Sequence, residues 1–227
     1  MTAKTFSTTA QDASQELGQL TAQIRRSLEA PISALQASIE DLERDFPEND
    51  ARGTRLGHAI ELIEALRQNV HALVDLAAPD AATPLSCTLE ELARAALRQA
   101  PARIRSGVEL ACEDADRSLS LDGPMASRGL SYLIQAHVAP EAEALLRLSC
   151  NDGEACFTLV LSPRDGDHSR IDLCDAHTSN RGAELLSLAA EHELNRLGGT
   201  VDSTLATSGA TKVSVRLPLE NRVGGGL

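Results

Sequence analysis

Apolar positions in the first third of the chain recur by threes and fours. Leu17, Leu20, Ile24, Leu28, Ile32, Leu35, Ile39 and Leu42 form one series; Leu56, Ile60, Ile63, Leu66, Val70, Leu73 and Leu76 form a second. Such steps keep side chains on one face of an α-helix, so each series predicts a helix with an apolar stripe. The first helix is expected from Asp12 to the segment D-F-P-E-N-D, where Pro47, Asn49 and Asp50 supply breaker and cap residues. The second closes at A-A-P-D-A-A-T-P, around Pro79 and Pro84. Residues 1–11 are polar and rich in Thr and Ser, and are expected to form a flexible N-terminus. Residues 12–80 thus read as an antiparallel helical hairpin. One hairpin cannot hide its apolar faces, so pairing with a second copy into a four-helix bundle is the expected solution.

Beyond Pro84 the period changes. Thr88 to Arg98 (T-L-E-E-L-A-R-A-A-L-R) predicts a capped helix, with Thr88 and Glu91 as a capping box. Gly107 to Glu113 alternates as a strand, and Asp122 to Ala139 returns to helical spacing. The run A-L-L-R-L-S-C-N-D-G-E-A-C-F-T-L-V-L-S predicts a β-hairpin turning at Asn151-Asp152-Gly153, with Cys150 and Cys156 facing each other across it. A helix over Arg181 to Leu197 ends at Gly198-Gly199, and a last strand pair turns at Ser208-Gly209. Residues 85–220 therefore predict an α/β sandwich, helices on one face of a mixed sheet, with 221–227 a flexible tail; the whole chain is α+β.

Composition narrows the function classes. Among 227 residues the apolar share is 42%, yet aromatics make up only 2%, so the cores are built from Leu, Ala, Val and Ile. A net charge of −12 argues against nucleic acid or an anionic membrane as main partner. No apolar run is long enough to span a bilayer and the first residues lack a signal-peptide core, so a cytoplasmic protein is expected. Five cysteines without a C-x-x-C pair read as reduced thiols.

The stretch I-R-R-S-L-E-A-P-I-S-A-L-Q-A-S-I (Ile24 to Ile39), with a proline inside a helical pattern, resembles the phosphoacceptor helix of sensor histidine kinases through Leu28, Pro31, Ile32 and Leu35. A-L-V-D-L-A-A-P-D-A-A resembles the exit of that family's hairpin, and G-V-E-L the first strand of its ATP-binding domain. L-N-R-L-G-G-T-V with G-A-T-K-V-S-V-R-L-P-L resembles the closing helix and strand pair. The order of elements agrees from about Gln19 to Leu219. The resemblance implies a dimerisation and phosphotransfer hairpin followed by a sandwich of the GHKL ATPase type.

Departures from the family fall where chemistry is done. The reactive histidine stands five residues before the proline, and here that residue is Arg26, which has no lone pair to offer a phosphoryl group. The acidic residue that follows the histidine is Ser27, and the polar residue four places after it is Ala30. In the ATP domain the resemblance implies Gln135, with His137 nearby, where the family has a metal-holding asparagine. Asp165 or Asp167 in S-P-R-D-G-D stands for the adenine-binding aspartate, and Gly182 alone for the glycine box at a helix start. The intervening lid, Asp167 to Asn180, is short and acidic.

These departures imply a chain that is no enzyme: a pseudo-histidine-kinase without cofactor that docks a response regulator or partner kinase and modulates phosphotransfer. Receiver domains sit in the family on the hairpin's upper half, which here is Arg26, Glu29, Ala30 and Ser33. Two alternatives stay open. One is a histidine phosphotransferase whose acceptor has moved to His58 or His71, although no carboxylate relay is visible beside either in the sequence. The other is a nucleotide sensor retaining Gln135 and Asp165. His168, Asp172, Cys174, Asp175 and His177 cluster in a segment expected to be a polar loop, but their spacing matches no ligand motif, so no metal is expected. Gly129 reads equally as a remnant of ligand contact or as a packing glycine.

Overall fold

The computed structural model describes the backbone of residues 3–46, 50–77, 85–139, 142–161, 173–205 and 211–219, with side chains described except at 3–22, 25, 85, 173–180 and 205. The chain divides into two units, residues 1–80 and 81–227.

The first unit is a helical hairpin of α1 (Ala3–Arg44) and α2 (Ala51–Ala77), packed along one another. Helix α1 starts at Ala3, earlier than the start expected at Asp12. Phe6, Ala10 and Ala13 extend the apolar stripe N-terminally from Leu17 in steps of three and four, and Thr and Ser weaken a helix by only tenths of a kcal/mol each. Ile32, Ile63, Ala72 and Val74 are buried. Ile24, Leu28, Leu35 and Leu42 on α1, with Leu62, Leu66 and Leu73 on α2, stay exposed. Each of these two sets steps by four and seven along its own helix, so each helix carries a second apolar stripe outside the seam.

The second unit is a two-layer arrangement. Its five-stranded sheet runs β2 (Val108–Cys112), β4 (Ala144–Asn151), β5 (Glu154–Leu161), β7 (Thr211–Pro218), β6 (Thr200–Leu205) in spatial order. β2 and β4 are parallel and the other neighbours antiparallel, a mixed sheet as expected. Burial alternates along the central strands. Leu146, Leu159 and Val213 form one cross-strand row on the covered face, and Leu148, Phe157 and Val215 the next; all six are buried. The alternate residues Arg147, Lys212 and Arg216 are exposed, the pattern of a sheet with one face packed and one face wet.

Local chemistry sets the helix ends. Helix α3 (Leu89–Gln99) opens with the expected capping box: Glu91 N–H donates to Thr88 Oγ1 at 3.2 Å, and Thr88 N–H to Glu91 Oε2 at 2.8 Å. Helix α5 (Gly123–His137) is capped by buried Asp122, whose carboxylate accepts from Met125 N–H at 2.8 Å. The β4–β5 turn has positive φ at both Asp152 (50°) and Gly153 (84°), the signature of a type I′ hairpin turn. Helix α6 (Leu173–Arg196) ends in a Schellman motif: Gly198, at φ 77°, donates to Asn195 C=O and Gly199 to Leu194 C=O.

Several features stand outside the expectations. Helix α6 begins at Leu173 instead of Arg181, because nothing between the two, neither Pro nor Gly, stops it from extending back; the expected polar loop is therefore helical from residue 173. Two strands, β1 (Leu85–Thr88) and β3 (Ser118–Leu121), pair antiparallel as a separate small sheet, and α4 (Ala102–Arg105) makes one turn after Pro101. Four residues are too few for periodicity to announce an element. The hairpin register pairs Cys150 with Ala155 and Cys156 with Ser149. The two cysteines are offset by one residue, so they lie on opposite faces of the sheet and do not face each other. The turn at Ser208-Gly209 and the tail 221–227 lie outside the described residues.

Candidate functional site

Helices α1 and α2 bring ionisable groups together at one level of the hairpin. His71 Nε2 on α2 stands 3.1 Å from Glu29 Oε1 on α1, with side chains 27% and 40% exposed. The pair is half-buried, so the contact is screened less than a surface pair, yet the imidazole still meets solvent. About one helical turn further toward the open end, the antiparallel course sets Arg26 at the level of Asp75. Arg26 is exposed, whereas Asp75 is buried. Arg26, Glu29, Ala30 and Ser33 share one side of α1, as steps of three and four require, and all but half-buried Glu29 are exposed. Pro31 sits between them inside the helix and has no N–H, so the Ser27 carbonyl is left without its usual intrahelical donor. Ser27 Oγ instead donates to Ile24 C=O at 2.9 Å.

The contact between Glu29 and His71 corrects the reading that no carboxylate stands beside either hairpin histidine. The two residues are 42 apart in sequence and meet only because the hairpin folds about Asp50, from which they are equidistant. That symmetry was the available signal. His58, by contrast, lies 3.6 Å from Glu61 on its own helix, a half-buried i,i+3 neighbour.

In the second unit the residues expected at a nucleotide site are placed separately. Gln135, on α5, donates from Nε2 to Ser131 Oγ at 3.0 Å, which ties its amide to its own helix. His137, the last residue of α5, is half-buried, and burial lowers its pKa from the ordinary value. Gly182 lies inside α6, where helical bonding occupies backbone amides, and not at a helix start. Asp165 and Asp167 lie outside the described residues, as do His168, Asp172 and the side chains of Cys174, Asp175 and His177. Gly129 is a packing glycine: a Cβ there would stand 2.9 Å from Leu194 Cγ on α6 and 3.3 Å from Glu193 Cβ. Buried Glu193 in turn lies 3.6 Å from Arg128 and 3.8 Å from Arg196, an ion-pair cluster joining α5 to α6.

No family model matches the chain, and no curated protein matches it. Solved structures do. Full-length ShkA in complex with AMPPNP aligns with a TM-score of 0.57 at 16% identity, over 91% of this chain and 47% of that one. The histidine kinase ThkA in complex with the response regulator protein TrrA aligns at 0.56 and 13% identity, over 94% of this chain and 65% of that one. The histidine kinase AdeS of Acinetobacter baumannii aligns at 0.51 and 13% identity, over 86% and 98%. The chain thus spans about half of ShkA and two thirds of ThkA, and its fold is that of a histidine-kinase-like core: a helical region followed by a GHKL-type α/β domain.

One expectation is overturned by this comparison. The chain was expected to be no enzyme, but the solved structures whose fold it shares include histidine kinases, so that expectation does not stand. Among the described residues no helix is long and apolar enough to cross a membrane.

Proposed function

We propose that this chain is a kinase-like protein of two-component signalling that docks the receiver domain of a response regulator on helix α1, at Arg26, Glu29, Ala30 and Ser33, and works as a homodimer in the cytosol. The observation that carries the reading is the hairpin itself. It presents an exposed cation, Arg26, one turn from the Glu29–His71 pair, in a fold whose solved relatives include a histidine kinase in complex with a response regulator. An exposed guanidinium suits a partner surface rich in carboxylates, which it can grip through two parallel hydrogen bonds. Dimerisation is supported by the outer stripe of seven exposed Leu and Ile residues on α1 and α2, which a second hairpin covers in a four-helix bundle.

A histidine phosphotransferase with its acceptor elsewhere in the hairpin is favoured by one observation, the pairing of His71 with Glu29. Both readings are tested by titrating the purified chain with isolated receiver domains from the same cell and reading affinity by calorimetry. Binding of a receiver that Arg26→Glu weakens about tenfold or more supports the docking face. Binding that ignores this charge reversal moves the docking face elsewhere, and no binding by any receiver overturns the reading.

A further inference from the structure

We infer that a cavity in the second unit is a docking groove for an extended, basic segment of a partner protein, which adds to β3 as a further strand. The cavity measures about 1000 Å³. Its walls are Asp116 to Ser120 on one side and the β4–β5 turn, Asp152 to Glu154, on another, and the ends of α6 and β7 complete it. The site lies wholly within the second unit and goes beyond the receiver docking proposed for α1. Two independent observations point to what fills it. The first is an open strand edge. In the antiparallel pair β1–β3, alternate residues turn their N–H and C=O toward the partner strand or away from it. Ser120 turns away, its N–H donating to Leu219 C=O at 2.8 Å, whereas Arg117 C=O accepts from Leu89 N–H at 3.0 Å. Ser118 stands two residues from Ser120, so its N–H and C=O leave β3 on that same side, and among the described residues neither has a backbone partner. An unpaired strand edge is a template for main-chain pairing.

The second observation is charge. The cavity sets Asp116, Asp152 and Glu154 against Arg117 alone; all four are exposed, and none is in a side-chain hydrogen bond or ion pair among the described residues. Helix α6 also ends at the cavity, with Leu197 and Gly198 in its lining, and the C-terminal end of a helix favours a cation. Among the described residues no three His, Cys, Asp or Glu converge closely enough to hold a metal ion. The acids are thus spread around a mouth instead of gathered at a point, and spaced cationic groups fit them where a single ion does not. In an extended peptide alternate side chains share a face, so lysine or arginine at every second residue meets the rim while the main chain pairs with Ser118. Buried Leu119 and Leu197 add an apolar part to the lining, which suits the aliphatic stems of such side chains.

The test uses the full chain and a labelled octapeptide of alternating lysine and valine, with affinity read by fluorescence anisotropy. Saturable binding is expected, and a glutamate–valine peptide of the same length is expected not to bind. Asp152→Asn with Glu154→Gln is expected to weaken binding about fivefold, the scale of two exposed charge contacts; Asn tolerates the positive φ that the turn needs at residue 152. Removing two charges outside the cavity, by Glu109→Gln with Asp202→Asn, is expected to change binding by less than about twofold. A lysine–valine peptide N-methylated at alternate residues keeps its charge but cannot pair as a strand, and is expected to bind about tenfold more weakly. Hydrogen exchange at the Ser118 amide, read by NMR, is expected to slow on binding. Equal losses from the two double variants, equal affinity of the N-methylated peptide, an unchanged Ser118 amide or an absence of saturable binding each overturns the inference. Binding that appears only after residues 220–227 are removed gives the groove to that segment and likewise overturns it.

Discussion

The ion-pair cluster between α5 and α6 allows a quantitative test of what holds the second unit together. The Glu193 side chain is 1% exposed, and the Arg128 and Arg196 side chains beside it are each 27% exposed. At 3.6 and 3.8 Å, and with an effective dielectric constant of about 20, each pairing is worth roughly 4–5 kcal/mol before desolvation is charged against it. Arg128→Met removes one cation and leaves the carboxylate to Arg196, so the single change is expected to cost about 3 kcal/mol. Replacing both partners, Arg128→Met with Glu193→Met, removes the buried charge along with its counter-ion. The double variant is expected to lie within about 1 kcal/mol of the parent, a coupling of about 2 kcal/mol or more. The chain has no Trp and a single Tyr, Tyr132, buried on α5. Its signal during urea unfolding therefore reports the second unit separately from the hairpin. Additive single and double variants, with coupling below about 0.5 kcal/mol, would refute the claim that Glu193 depends on Arg128.

Four further outcomes are expected. Burial holds the His137 pKa below 6.5, so the neutral ring is favoured in the fold; stability of the second unit is complete above that pH and falls as acid protonates the unfolded chain first, and His137→Asn flattens the profile in pH-dependent denaturation. Leu66→Glu with Leu73→Glu places two charges in the outer stripe of α2 and is expected to raise the dimer dissociation constant by about a hundredfold or more, read by sedimentation; an unchanged constant places the dimer contact elsewhere. Thr88→Ala removes the side-chain acceptor of the capping box and is expected to cost about 1 kcal/mol in urea unfolding. Burial raises the thiol pKa of Cys87, Cys112 and Cys150, so all three should react with iodoacetamide at pH 8 more slowly than a free thiol of ordinary pKa, a comparison that mass spectrometry resolves residue by residue.

Elements with strong periodicity or named cap chemistry were legible in the sequence. Both hairpin helices, apart from the start of α1, the Thr88–Glu91 box, the Asn151-Asp152-Gly153 turn and the Gly198-Gly199 stop lie where residue types alone place them. What escaped was decided by pairing over distance. β1 and β3 exist because each supplies the other's hydrogen bonds, and four alternating residues carry no signal alone. The faces of Cys150 and Cys156 depended on a register that a shift of one residue inverts. The contact between His71 and Glu29 likewise follows from tertiary geometry, and only the folded hairpin turned two ordinary helix residues into neighbours.

That contact also makes α2 intolerant of small changes in length. Each residue added between Ala51 and His71 swings the imidazole about 100° around the helix axis and advances it about 1.5 Å, so a single insertion points it away from Glu29. An insertion of seven residues returns it to within about 20° of its original bearing, but roughly 10 Å further along, beside a different part of α1. Only a matching insertion in α1, between Glu29 and Arg44, restores both angle and height. The hairpin therefore behaves as a vernier: its two scales can lengthen in step, and their coincidence at one mark records whether they have.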